Sequence, residues 1–212
     1  MSPVPLVVGV DFDNTLVSYD DLIFSVAFER GLIQDETGKS KKDIRDAIRR
    51  LDGGEIEWQR VQGVVYGPRM HEAKAADGAE SFLTRCADAN INVYVVSHKT
   101  PFANYDDTGT DLRAAALSWV ERQGWFDDSG PGLSRNRVYF ESSRREKVER
   151  IEQLECTHFI DDLEETFQEE GFPEDVHKIL YAPYPTDAKI PGVATVSSWD
   201  EVADLTFGSL AR

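Results

Sequence analysis

Asp11 and Asp13 stand one residue apart, directly after the apolar run Leu6-Val7-Val8-Gly9-Val10. Two carboxylates this close repel each other unless they share a proton or a cation. A hard divalent ion such as Mg2+ takes oxygen ligands and commonly shares them with substrate phosphate. In extended backbone, side chains at i and i+2 point to one face, so the spacing predicts that both carboxylates converge on one small site. Taken alone, Asp11-Phe12-Asp13-Asn14 reads equally well as a polar turn. An EF-hand is excluded, because no Gly follows at the sixth position of such a loop and no Glu at the twelfth. Two further apolar runs end in polar groups: Ile91–Val96 runs into Ser97-His98-Lys99-Thr100, and Thr157–Ile160 runs into Asp161-Asp162.

The elements that must position these groups follow from periodicity. The run before Asp11 is short and β-branched, with no polar alternation, as in a parallel strand buried on both faces. Helical spacing of apolar residues predicts helices over about 17–32, 41–51 and 55–65, with Gly53-Gly54 breaking the second. The stretch from Val17 to about Ala76 is therefore mostly helical, an insertion without a strong strand. A core helix over 78–89 follows, with Phe82, Leu83 and Cys86 inward. Then come the strand at 91–96, a helix over 111–123, a short strand at 137–140, and a helix opening at Ser142-Ser143 and running to about Leu154. The strand at 157–160 precedes a helix over 163–170, strands at 178–181 and 193–196, and a closing helix from Trp199. Strand and helix alternate from Gly78 onward, which predicts an α/β fold with a doubly wound parallel sheet. Right-handed crossovers bring all strand tips to one edge, and ligands in such sheets bind beyond the carboxyl ends of the strands.

Charge narrows the class of partner. The chain of 212 residues carries a formal net charge of −16, a field that disfavours nucleic acid and anionic membrane surfaces. It leaves a phosphorylated substrate open, because a metal and a few local cations reverse the sign within a pocket. Cys86 and Cys156 form no metal-binding pattern and read as core thiols of a reducing compartment. The first apolar run is too short for a signal peptide or a membrane span, so the expectation is a soluble, cytoplasmic protein.

Taken in order, Val7–Leu16 (Val-Val-Gly-Val-Asp-Phe-Asp-Asn-Thr-Leu), Val95-Val96-Ser97-His98-Lys99, Lys147 and Phe159-Ile160-Asp161-Asp162 resemble the four motifs of the haloacid dehalogenase-like (HAD) hydrolase superfamily. The resemblance covers residues 1–16 and about 78–200. It implies a Rossmann-like core over 1–16 and 77–212 and a small helical cap inserted over 17–76. It also implies that Asp11 is a nucleophile forming an aspartyl-phosphate and that Asp13 is the general acid and then the base. By the same resemblance Ser97 and Lys147 hold the transferring phosphoryl group, and Mg2+ is bound by Asp11, Asp13 (through its carbonyl), Asp161 and Asp162. Asp162 takes the usual position of the direct ligand. Thr15, His98, Lys99 and Arg69 are the candidates for contacts to the substrate, with Tyr66 and His71 beside Arg69. Dehalogenase members lack the second Asp, since a halide leaves without a proton, so Asp13 favours a phosphate ester. The implied activity is hydrolysis of a small phosphorylated metabolite, such as a sugar phosphate.

Other readings compete. A phosphomutase or phosphotransferase would use the same Asp11. A signalling receiver also has a phosphorylatable Asp and a Lys, but it carries its acidic pair at the first strand and the Asp on a middle strand, where this chain has Ser97. A non-catalytic binding module is a fourth reading. Individual residues have plain alternatives as well. Ser97 could cap a turn, Arg144 and Arg145 rival Lys147, Asp161 or Asp162 could cap the next helix, and His98 and Lys99 are of a kind more often found exposed in loops.

Overall fold

The computed structural model describes residues 5–106, 108–186 and 189–208. Its chain divides into two compact units, one comprising residues 1–16, 75–99 and 124–212 and the other 17–74 and 100–123.

The first unit is built on a six-stranded parallel sheet. Its strands are β1 (Val7–Val10), β4 (Asn92–His98), β5 (Val138–Glu141), β6 (His158–Asp161), β7 (His177–Tyr181) and β8 (Val193–Val196). They lie in the order β5-β4-β1-β6-β7-β8, so β1 sits between β4 and β6 with Gly9 opposite Tyr94 and Phe159. The amino end of β1 is fixed by Thr157. Its hydroxyl accepts from Val7 N at 3.0 Å and donates to Val7 O at 2.9 Å.

Helices α4 (Ala79–Asp88), α6 (Arg144–Gln153), α7 (Glu164–Phe167) and α8 (Trp199–Gly208) belong to this unit. Alternation along each strand sorts them to two faces. Leu180 packs with Val148 and Ile151 of α6 and Phe167 of α7, whereas the next residue, Tyr181, meets Trp199 of α8, whose ring in turn meets Phe82 of α4. The unit is thus a sheet with helices on both sides, the doubly wound α/β architecture expected. The helix expected over 163–170 shrinks to the single turn of α7. Gly171, at φ +86°, turns the chain so that Phe172 packs against Phe159 and Phe167.

The second unit holds α1 (Asp20–Glu29), α2 (Lys41–Arg49), α3 (Gly54–Tyr66) and α5 (Leu112–Arg122). The sequence assigned α5 to the core; the compact grouping of the chain places it with 17–74. Its Trp119 indole donates to Ala73 O at 2.9 Å, and Tyr19 OH donates to Met70 Sδ at 3.1 Å. A Cβ at Gly54 would lie 2.1 Å from Ile48 O, so the tight α2–α3 turn requires glycine there. The helix expected from Val17 starts three residues later, because Val17–Ser18 (β2) forms a two-stranded ribbon with Lys74–Ala75 (β3). No helix among the described residues is long and apolar enough to cross a membrane.

Gly9 leaves the space that the Phe159 ring fills. A Cβ there would stand 2.5 Å from Phe159 Cδ2 and 3.0 Å from Cys156 Sγ. Gly9→Ala should therefore destabilise the protein by about 1–3 kcal/mol through overpacking, read as a lower urea midpoint at unchanged slope.

His158 lies at the amino end of β6, far along the strand from the acidic tip. It is buried, hydrogen-bonded at Nδ1 to Thr157 Oγ1 at 3.1 Å and stacked on His177 with ring centroids 4.6 Å apart. Burial first, then the neighbouring His177, lowers its pKa to about 4. Between that value and the unfolded value of about 6.5, the unfolded chain takes up a proton that the folded one refuses. Stability is full above pH 6.5 and falls as the pH drops toward 4. Relative to His158→Gln, the wild type should lose unfolding free energy between pH 7 and pH 4.5, measured by urea titration at each pH.

Candidate active site

Parity along paired strands assembles the centre of the site. Gly9 of β1 lies opposite Phe159 of β6 and Val10 opposite Ile160, so Asp11 and Asp161, each two residues further on, extend toward the face shared by Gly9 and Phe159. Asp11 N donates to Ile160 O at 2.8 Å and continues the ladder by one step. Helix α6 covers this face. It starts in a capping box in which Ser143 accepts from Glu146 N while the Glu146 carboxylate accepts from Ser143 N. The next residue is Lys147. Its ammonium donates to Asp11 Oδ1 and to Asp161 Oδ2, both at 2.6 Å, and lies 5.4 Å from the centre of the Phe159 ring. All three polar residues are buried. The rivals separate cleanly: Arg144 pairs with Glu169 at 3.6 Å, and Arg145, 80% exposed, pairs with Glu149.

Asp13 lies in a lone bridge position with turn residues on either side, just past the end of β1. Leu16 N bonds back to Phe12 O at 3.1 Å, and Asn14 takes φ +60°, a conformation that Asn tolerates better than most residues. The Asp13 carboxylate receives Lys99 Nζ on both oxygens, at 3.0 and 2.8 Å. Lys99 is not the exposed loop residue expected: only 4% of it is accessible. Strand β4 runs two residues past the predicted Val96, and the Lys99 amide adds a further bond to Glu141 O at 2.9 Å, so the side chain starts from the sheet.

The charges are strongly coupled. Burial, opposed by Lys147 and reinforced by Asp161 and Asp13, raises the Asp11 pKa to about 6. Burial disfavours the Lys147 ammonium as well, but Asp11 and Asp161 outweigh it and hold Lys147 protonated, its pKa above the usual lysine value. The pairing alone would lower Asp11; desolvation and the other two carboxylates win because a single ammonium serves both Asp11 and Asp161. The site thus carries more carboxylate than its two lysines neutralise, as a cation-binding site does.

The donor set fits a hard divalent ion. Carboxylate oxygens of Asp11, Asp161 and Asp162 lie within 4.8 Å of one another. Both Asp161 oxygens are engaged, one by Lys147 and the other by Leu163 N at 2.9 Å. Asp161 therefore caps the turn after β6 as well as facing the site.

The remaining candidates fall in several places. Ser97, buried, is the next-to-last residue of β4 and lies opposite Phe140. His98, at the strand end, donates from Nε2 to Ser142 O at 3.2 Å, and burial lowers its pKa. Thr15 is fully buried, and its hydroxyl has no hydrogen-bond partner among the described residues. Arg69, Tyr66 and His71 belong to the second unit. There the Arg69 guanidinium is taken up by Glu29 at 2.6 Å and by a two-pronged contact with Glu72 at 2.8 and 2.7 Å, so its charge is already balanced within that unit.

The sequence matches no protein-family model and no curated protein. Solved structures do match along the whole chain. A HAD-superfamily hydrolase from Ehrlichia chaffeensis is 14% identical, with 100% of both chains covered and a TM-score of 0.55. A HAD family hydrolase from Deinococcus radiodurans R1, whose structure holds bound phosphate and sodium, is 16% identical over 98% of this chain and 97% of that one, at TM-score 0.58. The chain has the fold of the HAD hydrolases. A dehalogenase structure is also similar, at 14% identity, full coverage of both chains and TM-score 0.53, so the HAD fold by itself does not choose between phosphorus and carbon–halogen chemistry.

Replacing Lys147 by Met would leave Asp11 and Asp161 buried without their shared ammonium. Breaking a buried ion pair from one side costs about 3–5 kcal/mol. Lys147→Met should show a loss of that order in urea unfolding with EDTA present.

Proposed function

We propose that the protein is a Mg2+-dependent phosphatase acting on a small phosphorylated metabolite through an aspartyl-phosphate on Asp11. The observation that carries this reading is the placement of a second carboxylate, Asp13, just past the end of β1 beside the buried Asp11, held by its own lysine. A halide departs without a proton; an alkoxide does not, and Asp13 is the group placed to supply one. The bound phosphate of the Deinococcus hydrolase supports the same choice by analogy.

In the first step an oxygen of Asp11 forms a bond to phosphorus while the bond to the leaving oxygen breaks, and Asp13 delivers a proton to that oxygen. In the second step Asp13 takes a proton from water, the water oxygen bonds to phosphorus, and the Asp11–phosphorus bond breaks to release inorganic phosphate. Lys147 holds Asp11 in one orientation and faces the negative charge that develops on the phosphoryl oxygens. Ser97, at the tip of β4, is the candidate hydrogen-bond donor to those oxygens. Asp11, Asp162 and the Asp13 carbonyl would hold Mg2+, with Asp161 supporting. The ion supplies charge neutralisation for phosphoryl transfer. Positioning and electrostatics carry most of such a reaction, and a preformed, largely buried set of charges suits that task.

A dehalogenase is the second reading, favoured by the similar dehalogenase structure. Phosphate release from a panel of sugar phosphates, nucleotides and small phosphate esters separates the two, alongside halide release from 2-haloacids. We expect phosphate release with Mg2+, its loss with EDTA, and a fall of at least about 10³-fold in Asp11→Asn, a scale consistent with removing a nucleophile. Halide release without phosphate release would overturn the proposal.

A further inference from the structure

The Lys99–Asp13 pair is more than a neutralised charge. Asp13 occupies a lone bridge position flanked by turn residues, whereas Lys99 is rooted beside β5 by the bond from its amide to Glu141 O. The lysine stem is buried, with only 2% of its side chain accessible against 19% for Asp13. Its ammonium lies 5.9 Å from the centre of the Phe12 ring, and Phe12 in turn meets Phe140 of β5 edge-on, with ring centroids 5.8 Å apart. Packing a long cationic side chain so completely sacrifices its rotamer freedom and its hydration, and a solvated loop charge would do neither. The ammonium is nearly equidistant from both Asp13 oxygens, at 3.0 and 2.8 Å. It therefore bridges both oxygens and fixes the plane of the carboxylate.

From this geometry we infer that Lys99 is a positioning residue that orients Asp13 toward the leaving oxygen, and not a contact to the substrate. The inference rests on the phosphatase reading, in which Asp13 moves the proton. It differs from the role of Lys147, which faces the nucleophile. Removing Lys147 should slow every substrate, because every substrate needs Asp11 and develops charge on the phosphoryl oxygens. Removing Lys99 should slow the first step only for substrates whose leaving group needs a proton, whereas the second step, in which Asp13 takes a proton from water, is common to all.

The test compares p-nitrophenyl phosphate, whose phenolate leaves unaided, with the best alkyl phosphate of the panel. Positioned acid–base catalysis is worth about 10²–10⁴-fold. In single-turnover mixing with Mg2+, we expect Lys99→Met to slow leaving-group release from the alkyl phosphate by roughly 10–100-fold, part of that range, and to change the p-nitrophenolate burst by less than about 3-fold. Asp13→Asn should show the same preference more strongly. A second measurement needs neither metal nor activity. In EDTA, Lys99→Met and Asp13→Asn should each lower Tm, and the double variant should fall no further than the worse single one, as expected for groups that act as a pair. Equal losses on both substrates, no loss on either, or additive Tm shifts would overturn the inference alone. A wild type that releases no phosphate from any substrate would overturn it together with the phosphatase reading.

Discussion

One buried ammonium joins the tips of two strands to the start of a helix. Lys147 donates to Asp11 and Asp161 at equal distance, and none of the three residues has water enough to be stable without the others. The pairing therefore demands much of its surroundings. The β1–β6 register must place both carboxylates at the same level, and the capping box must start α6 at Arg144, three residues before Lys147. The Phe159 ring must lie flat enough to carry the lysine stem, which is possible because Gly9 offers no side chain against it. A one-residue slip of either strand would turn one carboxylate to the opposite face. The apolar core below and the polar centre above are thus specified by the same register.

Two lysines meet a surplus of carboxylate at this sheet edge, in a protein that is acidic throughout. The local arrangement matters more than the total. Each lysine meets a different one of the two motif aspartates, Lys147 the buried Asp11 and Lys99 the more accessible Asp13, so the two sit in different surroundings.

Much of this was legible in the chain. The buried parallel strand β1, the alternation that builds a doubly wound sheet and the polar strand tips all follow from short periodic signals, whereas the contact of Lys147 with both Asp11 and Asp161 comes from the structure. The turn that follows Asp13 was not legible, because nothing in Asp11-Phe12-Asp13-Asn14 marks where the strand gives way to the turn in which Asn14 takes φ +60°. Lys99 looked like a loop residue, since nothing in Ser97-His98-Lys99 marks how far β4 continues; the only local hint was that the polar triplet follows an apolar run without a glycine or proline to stop it. The grouping of 100–123 with 17–74 was hidden for a related reason: a helix of ordinary amphipathic pattern does not say which partner it packs on. Arg69 looked available for a substrate anion, but Glu29, 40 residues upstream, and Glu72, three residues downstream, already claim it.

The bonds between Val7 and Thr157 span 150 residues of sequence. During synthesis, Val7 therefore leaves the ribosome 150 residues ahead of Thr157. At about 5–20 residues per second, roughly 8–30 s separate the two. For that interval the β-branched run before Asp11 has one edge unpaired, with no charge inside it to deter a foreign strand. The arrival of β6 closes that edge, and the same strand then brings Asp161 to the Lys147 ammonium that Asp11 shares.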